Sequence, residues 1–180
     1  KNKANITARL VDNQSNVAFA WKEADTFYHL KTKLYGSYNF YNLLAAIAVG
    51  RFFGVKPENI GYALEAWKPD NNRSQSLHTG RNLVILDAYN ANPESMRLAI
   101  TDFSKHAFSS PLLILGDMFE LGIAASDEHK AILNLVQELA FADAILVGKE
   151  FATIAGKLAI QTFDTTAQVI EFLQENPVKD

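Results

Sequence analysis

The chain has 180 residues, 48% of them hydrophobic, and a formal net charge of −3 without runs of basic residues, so it can build a core but offers nucleic acid no extended surface. It contains no cysteine, which excludes disulfides, thiolate nucleophiles and zinc–thiolate sites. The longest apolar stretch, Leu43 to Val49, is too short to span a bilayer, and we expect a cytoplasmic protein with neither nucleic acid nor membrane as a partner.

The first 69 residues predict a small antiparallel meander followed by two helices. Polar, turn-forming residues at positions 12–16 separate the first two of three runs with β-rich or alternating character. Apolar residues at helical spacing then predict a helix over Asn39 to Phe53, which stops at Gly54, a residue suited to a left-handed C-cap. A second helix should start at Pro57. The three predicted strands are Ile6 to Val11, Val17 to Trp21 and Phe27 to Lys33.

From Pro69 onward, short apolar strands alternate with helical segments, a pattern typical of βαβ units and a parallel sheet. We therefore predict two domains, 1–69 and 70–180. Asn92 before Pro93 and Ser126 before two acidic residues are the predicted N-caps of two helices. The predicted fold class is α/β, a mainly parallel, Rossmann-like sheet with flanking helices, preceded by the small antiparallel β and helix segment. The predicted strands are Leu83 to Leu86, Leu112 to Leu115, Ala144 to Val147 and Ile160 to Phe163.

Polar residues follow each predicted strand of the second domain. In an open parallel sheet, ligands collect beyond the carboxyl ends of the strands, because loops and helix N-termini converge there. We therefore expect one edge of the sheet to carry the functional site. The polar segments that follow the four predicted strands are 87–92, 116–120, 148–150 and 164–166.

The densest of these segments runs from Asp87 to Ser95 and combines a carboxylate, a tyrosine, two asparagines and a helix N-terminus. Asp87 could accept hydrogen bonds from ribose hydroxyls, and the helix that opens at Pro93 offers free N–H groups to an anion. The alternative is an asparagine-rich turn in which Asn92 only caps a helix. Spacing alone leaves both interpretations open.

Polar residues nearer the N-terminus are further candidates. Arg73 precedes the first strand of the second domain, where a guanidinium could reach a phosphate. A solvated linker arginine is the alternative. Asn39 and Asn42 share one face at the start of their helix and could both present amides to a ligand, or one of them simply caps the helix.

The segment from Gly116 to Gly122 places two carboxylates, Asp117 and Glu120, in a loop after a strand. Such a loop could bind an ammonium group or orient a metal-bound water, or it is an acidic surface loop. His129 lies in the first turn of a helix without a second histidine or a triad, so we expect it to be structural or solvated rather than part of serine–histidine catalysis.

The chain lacks the glycine-rich motifs of nucleotide-binding loops. The residues that follow Gly148 and Gly156 do not complete a P-loop. No pair of glycines is spaced for a dinucleotide fingerprint, which argues against an NAD enzyme. If this chain helps to bind ATP, another segment must hold the phosphates.

Two strings of residues carry a resemblance to a known family. Residues 87–96, DAYNANPESM, and residues 115–122, LGDMFELG, followed by His129, resemble the C-terminal domain of the UDP-N-acetylmuramoyl-tripeptide:D-alanyl-D-alanine ligases, a branch of the Mur ligase family. Residues 36–46, GSYNFYNLLAA, are similar to the Gly-x-His-Asn-x-x-Asn-x-x-Ala-Ala segment that ends the family's central ATPase domain. Tyr38 replaces the histidine of that segment. The resemblance covers nearly the whole chain.

The resemblance implies a reaction and roles for the matching residues. Family chemistry is ATP-driven amide formation through an acyl phosphate, which the free amine of D-Ala-D-Ala attacks. ATP and Mg²⁺ are the implied cofactors, with their main phosphate and metal ligands outside this chain, and no residue of the chain is assigned as catalytic. Asn42 would contact the adenine, Arg73 the phosphates and Asp87 the ribose. The implied substrate-binding residues are Tyr89, Asn90, Asn92, Asp117 and Glu120.

The resemblance also implies that the family machinery extends beyond this chain. A P-loop, magnesium ligands and a carbamylated lysine would precede Lys1, and a further strand would follow Asp180, so we interpret the chain as a fragment that is inactive alone. Its implied partners are UDP-N-acetylmuramoyl-tripeptide, D-Ala-D-Ala and the missing N-terminal and central domains, with fusion to alanine racemase in some relatives. The alternatives are another Mur ligase, a folylpolyglutamate synthetase, or a noncatalytic module that binds a nucleotide or peptide.

Overall fold

The structure, a computed structural model, describes residues 6–12, 16–156, 158 and 160–178. The chain divides into two compact units, residues 1–89 and 90–180. The predicted domain boundary near residue 69 stays a prediction, since compactness does not mark where one family domain ends. Most of the predicted turn at positions 12–16 lies outside the described residues.

The first unit opens with the predicted antiparallel meander, which the structure confirms. Strands β1 (Ile6–Asp12), β2 (Asn16–Glu23) and β3 (Thr26–Tyr35) pair in the order β1–β2–β3. Trp21 of β2 lies opposite Tyr28 of β3, and their rings stack with centroids 4.6 Å apart. Such cross-strand aromatic pairs stabilise the register of a sheet.

Both predicted helices of this unit are present, as α1 (Phe40–Phe52) and α2 (Pro57–Ala66). Gly54 has a φ of +78°, the left-handed conformation expected of a residue that ends a helix. The helices and strands share one core, whose buried members are Val17, Phe19, Trp21, Leu30, Leu34, Phe40, Leu43, Ile47 and Ile60.

An antiparallel pair, β4 (Gln75–His78) and β5 (Leu83–Leu86), completes the first unit. The strand at Leu83 to Leu86 is therefore confirmed, but its assignment as the first strand of the parallel sheet is wrong. β4 precedes it across a short turn closed by the hydrogen bond from the Thr79 N–H to the Asn82 carbonyl, 3.0 Å, and short connections join antiparallel strands.

The second unit is a parallel sheet with helices on both faces, which confirms the predicted α/β fold class. Its strands are β6 (Leu112–Gly116), β7 (Asp143–Val147) and β8 (Gln161–Phe163), paired in that order. Its helices are α3 (Pro93–Phe103), α4 (Ala125–Glu138), α5 (Lys149–Ala155) and α6 (Thr166–Glu175).

The middle strand β7 explains how the helices are distributed. Three consecutive residues, Ile145, Leu146 and Val147, are buried, which requires cover on both faces of the sheet. Leu146 joins a core formed with α3, α4 and α5, whereas Ile145 and Val147 pack with Val169 of α6.

The two predicted N-caps of this unit have different outcomes. Asn92 is confirmed, because its side chain accepts the Ser95 N–H at 2.9 Å and the Ser95 hydroxyl oxygen accepts the Asn92 N–H at 3.3 Å. Ser126 is wrong, because α4 begins one residue earlier, directly out of a 3-10 turn over Gly122–Ala124. Among the described residues, no helix combines the length and apolar character needed to cross a membrane.

Candidate functional site

The carboxylate of Asp87 directly follows β5 and is fixed by two hydrogen bonds. Its Oδ1 accepts the backbone N–H of Ser74 at 3.0 Å, and its Oδ2 accepts the hydroxyl of Tyr38 at 3.0 Å. The residue is nevertheless exposed. Because an ionised carboxylate offers about four acceptor positions, Asp87 retains capacity for a ligand while its orientation is set by the protein.

Ser74 stands behind Asp87 and is 4% exposed. Its Oγ accepts the Asn39 amide at 2.8 Å and lies 3.1 Å from the Tyr38 hydroxyl oxygen. Asn39 also donates to the Tyr35 carbonyl, and Asn42 donates to Asn39 at 3.0 Å. Asn39 is therefore a buried part of this network, which neither caps α1 with its side chain nor presents its amide to solvent, whereas Asn42 is exposed.

Arg73 stacks on Tyr89, with the guanidinium carbon 3.8 Å from the ring centroid. Both residues are exposed. The backbone N–H groups of Ala88 and Tyr89 donate to the Asn72 carbonyl, at 2.7 and 3.2 Å, which ties the two segments together. Arg73 is thus not a freely solvated linker arginine, because an aromatic face orients its planar group.

The backbone of Ser74 adopts a strained conformation in which both its N–H and its carbonyl form hydrogen bonds. Ser74 has a φ of +49°, a left-handed conformation that costs a residue with a side chain roughly 1–2 kcal/mol. This conformation accompanies the hydrogen bond from its N–H to Asp87 and the one that its carbonyl accepts from the Tyr35 N–H, 3.0 Å. The hydrogen bonds offset the strain.

In the second unit, Asp117 connects the ends of two parallel strands. Its Oδ2 accepts the Glu150 N–H and its Oδ1 accepts the Phe151 N–H, both at 3.0 Å. Its side chain is only 8% exposed. A carboxylate on free N–H groups in the first turn of a helix satisfies them and complements the helix dipole, so Asp117 holds α5. Glu120, by contrast, is exposed.

His129 is fully buried beneath the same loop. Its Nε2 accepts the Met118 N–H at 2.9 Å, so the ring proton resides on Nδ1, which donates to the Ala125 carbonyl at 2.7 Å. The imidazole is therefore neutral, and its 3.7 Å distance from Asp117 is not an ion pair. This geometry agrees with the structural role expected for His129.

The structure groups the predicted site residues into two sets. The loops after β6 and β7 meet at one edge of the parallel sheet, as expected, where Asp117 contacts the start of α5. Segment 87–92 follows β5 instead, so the expectation that it extends a strand of that sheet is wrong. Asn90 accepts the Ala91 N–H at 2.9 Å and Asn92 caps α3, both within the second unit.

Tyr38 and Ser74 join the candidate site, although no local signal in the sequence points to either. Tyr38 is only a departure from a family pattern, and Ser74 belongs to no motif. Within the part of the chain that the structure describes, no group of three or more histidine, aspartate or glutamate side chains could hold a metal ion.

The sequence model for the family described as Mur ligase, glutamate ligase domain, matches residues 72–177. The chain belongs to the Mur ligase family. Over 97 residues, this Mur ligase chain is 40% identical to UDP-N-acetylmuramoyl-tripeptide–D-alanyl-D-alanine ligase of Bacillus subtilis (strain 168), a match that covers 53% of the chain and 21% of the relative. The ligase of the same name from Treponema pallidum (strain Nichols) is 32% identical over 130 residues, which cover 72% of the chain and 28% of the relative.

Solved structures of Mur ligases agree with this assignment. A crystal structure of MurF from Acinetobacter baumannii matches the chain with a TM-score of 0.83 at 25% identity, over 98% of this chain and 40% of that one. The predicted family and fold class are thereby confirmed. The Mur ligase chain spans much less than two thirds of each of these proteins.

Proposed function

We propose that this chain is part of an ATP-dependent ligase that joins D-alanyl-D-alanine to UDP-N-acetylmuramoyl-tripeptide through an acyl phosphate, in cytoplasmic peptidoglycan synthesis. Because the chain covers 21% and 28% of two relatives named for this reaction, the whole activity requires sequence beyond it. The observation that carries the proposal is the exposed Asp87 carboxylate, which Ser74 and Tyr38 fix, together with the guanidinium of Arg73, the residue before Ser74, which the Tyr89 ring orients.

These groups suit a nucleotide. Ribose hydroxyls are donors, and the remaining acceptor positions of Asp87 can receive them. A guanidinium held flat presents several N–H donors to phosphate oxygens, which is the proposed role of Arg73. Asn42, exposed on α1, offers both a donor and an acceptor to adenine. ATP supplies the phosphoryl group that activates the acceptor carboxylate.

The five residues proposed to serve the dipeptide fall into two groups, those with exposed side chains and those whose side chains cap a helix. Tyr89, Asn90 and Glu120 are exposed, and the Glu120 carboxylate suits the ammonium group of the incoming dipeptide. Asn92 and Asp117 cap α3 and α5. We therefore propose that these two contribute by holding their loops and that Asn90 and Glu120 of the second unit contact the dipeptide. For Tyr89, which supports Arg73 in the first unit, contact with the dipeptide is a separate proposal.

Phosphate release by the full-length protein that contains this chain tests the proposal. We expect turnover only when ATP, UDP-N-acetylmuramoyl-tripeptide and D-Ala-D-Ala are all present. A preference for a single amino acid would instead indicate another Mur ligase or a folylpolyglutamate synthetase, and nucleotide binding without turnover a noncatalytic module. A P-loop in the upstream coding sequence would support the ligase, and its absence would support the noncatalytic module.

Two further expectations from the family resemblance stay predictions. They are fusion to alanine racemase and the assignment of residues 1–69 to the end of the central ATPase domain.

Substitutions in the same protein test the two nucleotide-side residues. Asp87→Ala and Arg73→Ala should each lower kcat/KM for ATP by roughly 10²-fold, the scale of losing a charged group from a preorganised site. Asp70→Ala and Arg81→Ala also remove exposed charges from the first unit and should leave the rate within about twofold. Near-normal rates for the first pair would remove both residues from the site.

A further inference from the structure

The Tyr38 hydroxyl is the last member of a chain of donors that ends on Asp87. Because its single proton goes to Asp87 Oδ2 at 3.0 Å, the hydroxyl of Ser74, 3.1 Å away, must donate to the Tyr38 oxygen. Ser74 in turn accepts from Asn39 at 2.8 Å. Aligned donors of this kind polarise and strengthen one another, so the carboxylate is held by a network rather than by one bond.

The backbone is shaped to seat the Tyr38 ring. Gly36 has a φ of +92°, and a Cβ at this position would overlap the ring, with Tyr38 Cζ at 2.7 Å. Only glycine combines that conformation with that close approach. The ring is half-buried, and Ser74 beneath it is buried. The backbone and the packing therefore fix the position of the Tyr38 ring, so its hydrogen bond to Asp87 is not a chance contact of a mobile surface side chain.

We propose that Tyr38 is a positioning residue that fixes the Asp87 carboxylate for the ribose hydroxyls of ATP, an inference that rests on the proposed function. The two bonds to Asp87 arrive on different oxygens, from Tyr38 and from the Ser74 N–H. Together they stop rotation of the carboxylate, so its remaining acceptor positions point in fixed directions. Without the hydroxyl, one oxygen is released and the ribose hydroxyls meet a mobile partner.

The effect on kinetics follows from this placement. Tyr38 does not touch the reacting atoms, so its hydroxyl should matter for nucleotide binding and for the choice of sugar, not for the chemical step. A loss confined to KM for ATP, with kcat within about twofold of wild type, is the signature of removed binding energy that is equal in the ground and transition states.

Steady-state kinetics of the full-length ligase with ATP, 2′-deoxy-ATP and 3′-deoxy-ATP test the proposal. Tyr38→Phe removes only the hydroxyl and should raise KM for ATP roughly fivefold to tenfold, comparable to the net contribution of one ordinary hydrogen bond, because Tyr38 acts on the ribose only through Asp87. One of the two deoxy analogues lacks the ribose hydroxyl that Asp87 binds. For that analogue, the KM of the Tyr38→Phe variant should exceed the wild-type KM by less than about twofold. The preference for ATP over that analogue should therefore shrink.

Matched variants distinguish this positioning role from a nonspecific loss of folding or stability. Tyr41→Phe deletes a tyrosine hydroxyl from a residue that is 74% exposed on α1 and should change neither KM nor sugar preference. Ser74→Ala breaks the donor chain one step back and should weaken sugar preference in the same direction, which decides the matter if Tyr38→Phe does not fold. Thermal melting of each variant reports its folding.

The outcomes that overturn the proposal are distinct from failure of the proposed function. If Asp87→Asn weakens sugar preference while Tyr38→Phe and Ser74→Ala leave it unchanged, Tyr38 does not position Asp87. An equal rise of KM for all three nucleotides in Tyr38→Phe would likewise assign the hydroxyl a merely structural role. If the wild-type protein shows no ATP-dependent ligation, the proposed function itself is wrong.

Discussion

Gly148→Ala should destabilise residues 90–180 by several kcal/mol, because an added methyl group has neither room nor a favourable backbone there. Gly148 has a φ of +122°, which residues with a side chain rarely adopt. A Cβ would overlap the Asp117 carboxyl carbon and lie 2.6 Å from its Oδ1. The carboxylate cannot simply turn aside, since it is largely buried and accepts the N–H groups of Glu150 and Phe151.

Two contributions set the magnitude. Backbone strain at such a φ costs roughly 1–3 kcal/mol. Displacing Asp117 should remove about half the strength of its two hydrogen bonds, each worth about 1.5–3 kcal/mol because the acceptor is charged, or roughly 1.5–3 kcal/mol in all. We expect a total of roughly 3–6 kcal/mol, a large part of the 5–15 kcal/mol by which a typical domain is stable.

Other glycines of the chain separate the two contributions. Gly80 has a φ of +89°, and a methyl group added there would have no neighbouring atom within 4 Å, so Gly80→Ala should show strain alone. Gly116 has free space and no positive φ, and Gly116→Ala should be nearly neutral. In an Asp117→Ala background, Gly148→Ala should cost about as much as Gly80→Ala, because no carboxylate remains to be displaced.

Urea denaturation followed by far-UV circular dichroism measures these differences, together with hydrogen exchange of the β7 amides. Both tryptophans, Trp21 and Trp67, belong to the first unit, so their fluorescence reports that unit and provides an internal control. The reasoning is refuted if Gly148→Ala costs no more than Gly80→Ala, or if its cost is the same with and without the Asp117 carboxylate.

Two further stability predictions use the same measurement. Asn92→Ala removes the capping box of α3 and should cost about 1 kcal/mol, whereas Ser126→Ala, at an exposed position inside α4, should lose less than about 0.5 kcal/mol; equal costs would contradict the assigned caps. His129→Leu leaves the Met118 N–H buried without its acceptor and should cost roughly 1–3 kcal/mol. His29→Leu changes an exposed histidine and serves as its control, so similar losses would show that the hydrogen bond at His129 contributes little.

The sequence predicted the secondary structure better than the pairing of its strands. Leu83 to Leu86 is a strand, as its apolar run indicated, but four apolar residues carry no information about which neighbour they bond. Its partner, Gln75 to His78, has the same length but a single apolar residue, Leu77, so it shows no strand pattern. The start of α4 was misplaced at Ser126 because a preceding 3-10 turn leads directly into the helix.

The candidate site was only partly predictable for a similar reason. Asp87 is predictable because a carboxylate directly after an apolar strand is a local signal in the sequence. Tyr38 and Ser74 are 36 residues apart in the chain, and the contact of Asp117 with Glu150 spans 33 residues. Such long-range contacts leave no periodic trace in a single sequence, so the network behind Asp87 and the helix cap at Asp117 appear only once the chain is folded.

The segment after β6 contains one residue, Asp117, whose side chain is fixed by hydrogen bonds to α5, and others whose side chains are exposed. Asp117 and Gly148 form a matched pair, in which altering either member disturbs the start of α5. The side chains of Phe119, which is 77% exposed, and of Glu120 are instead open to solvent. If this loop binds the incoming amine as proposed, redesign of its selectivity should diversify position 119, restrict position 120 to residues that tolerate the φ of +62° found at Glu120, and retain 117 and 148.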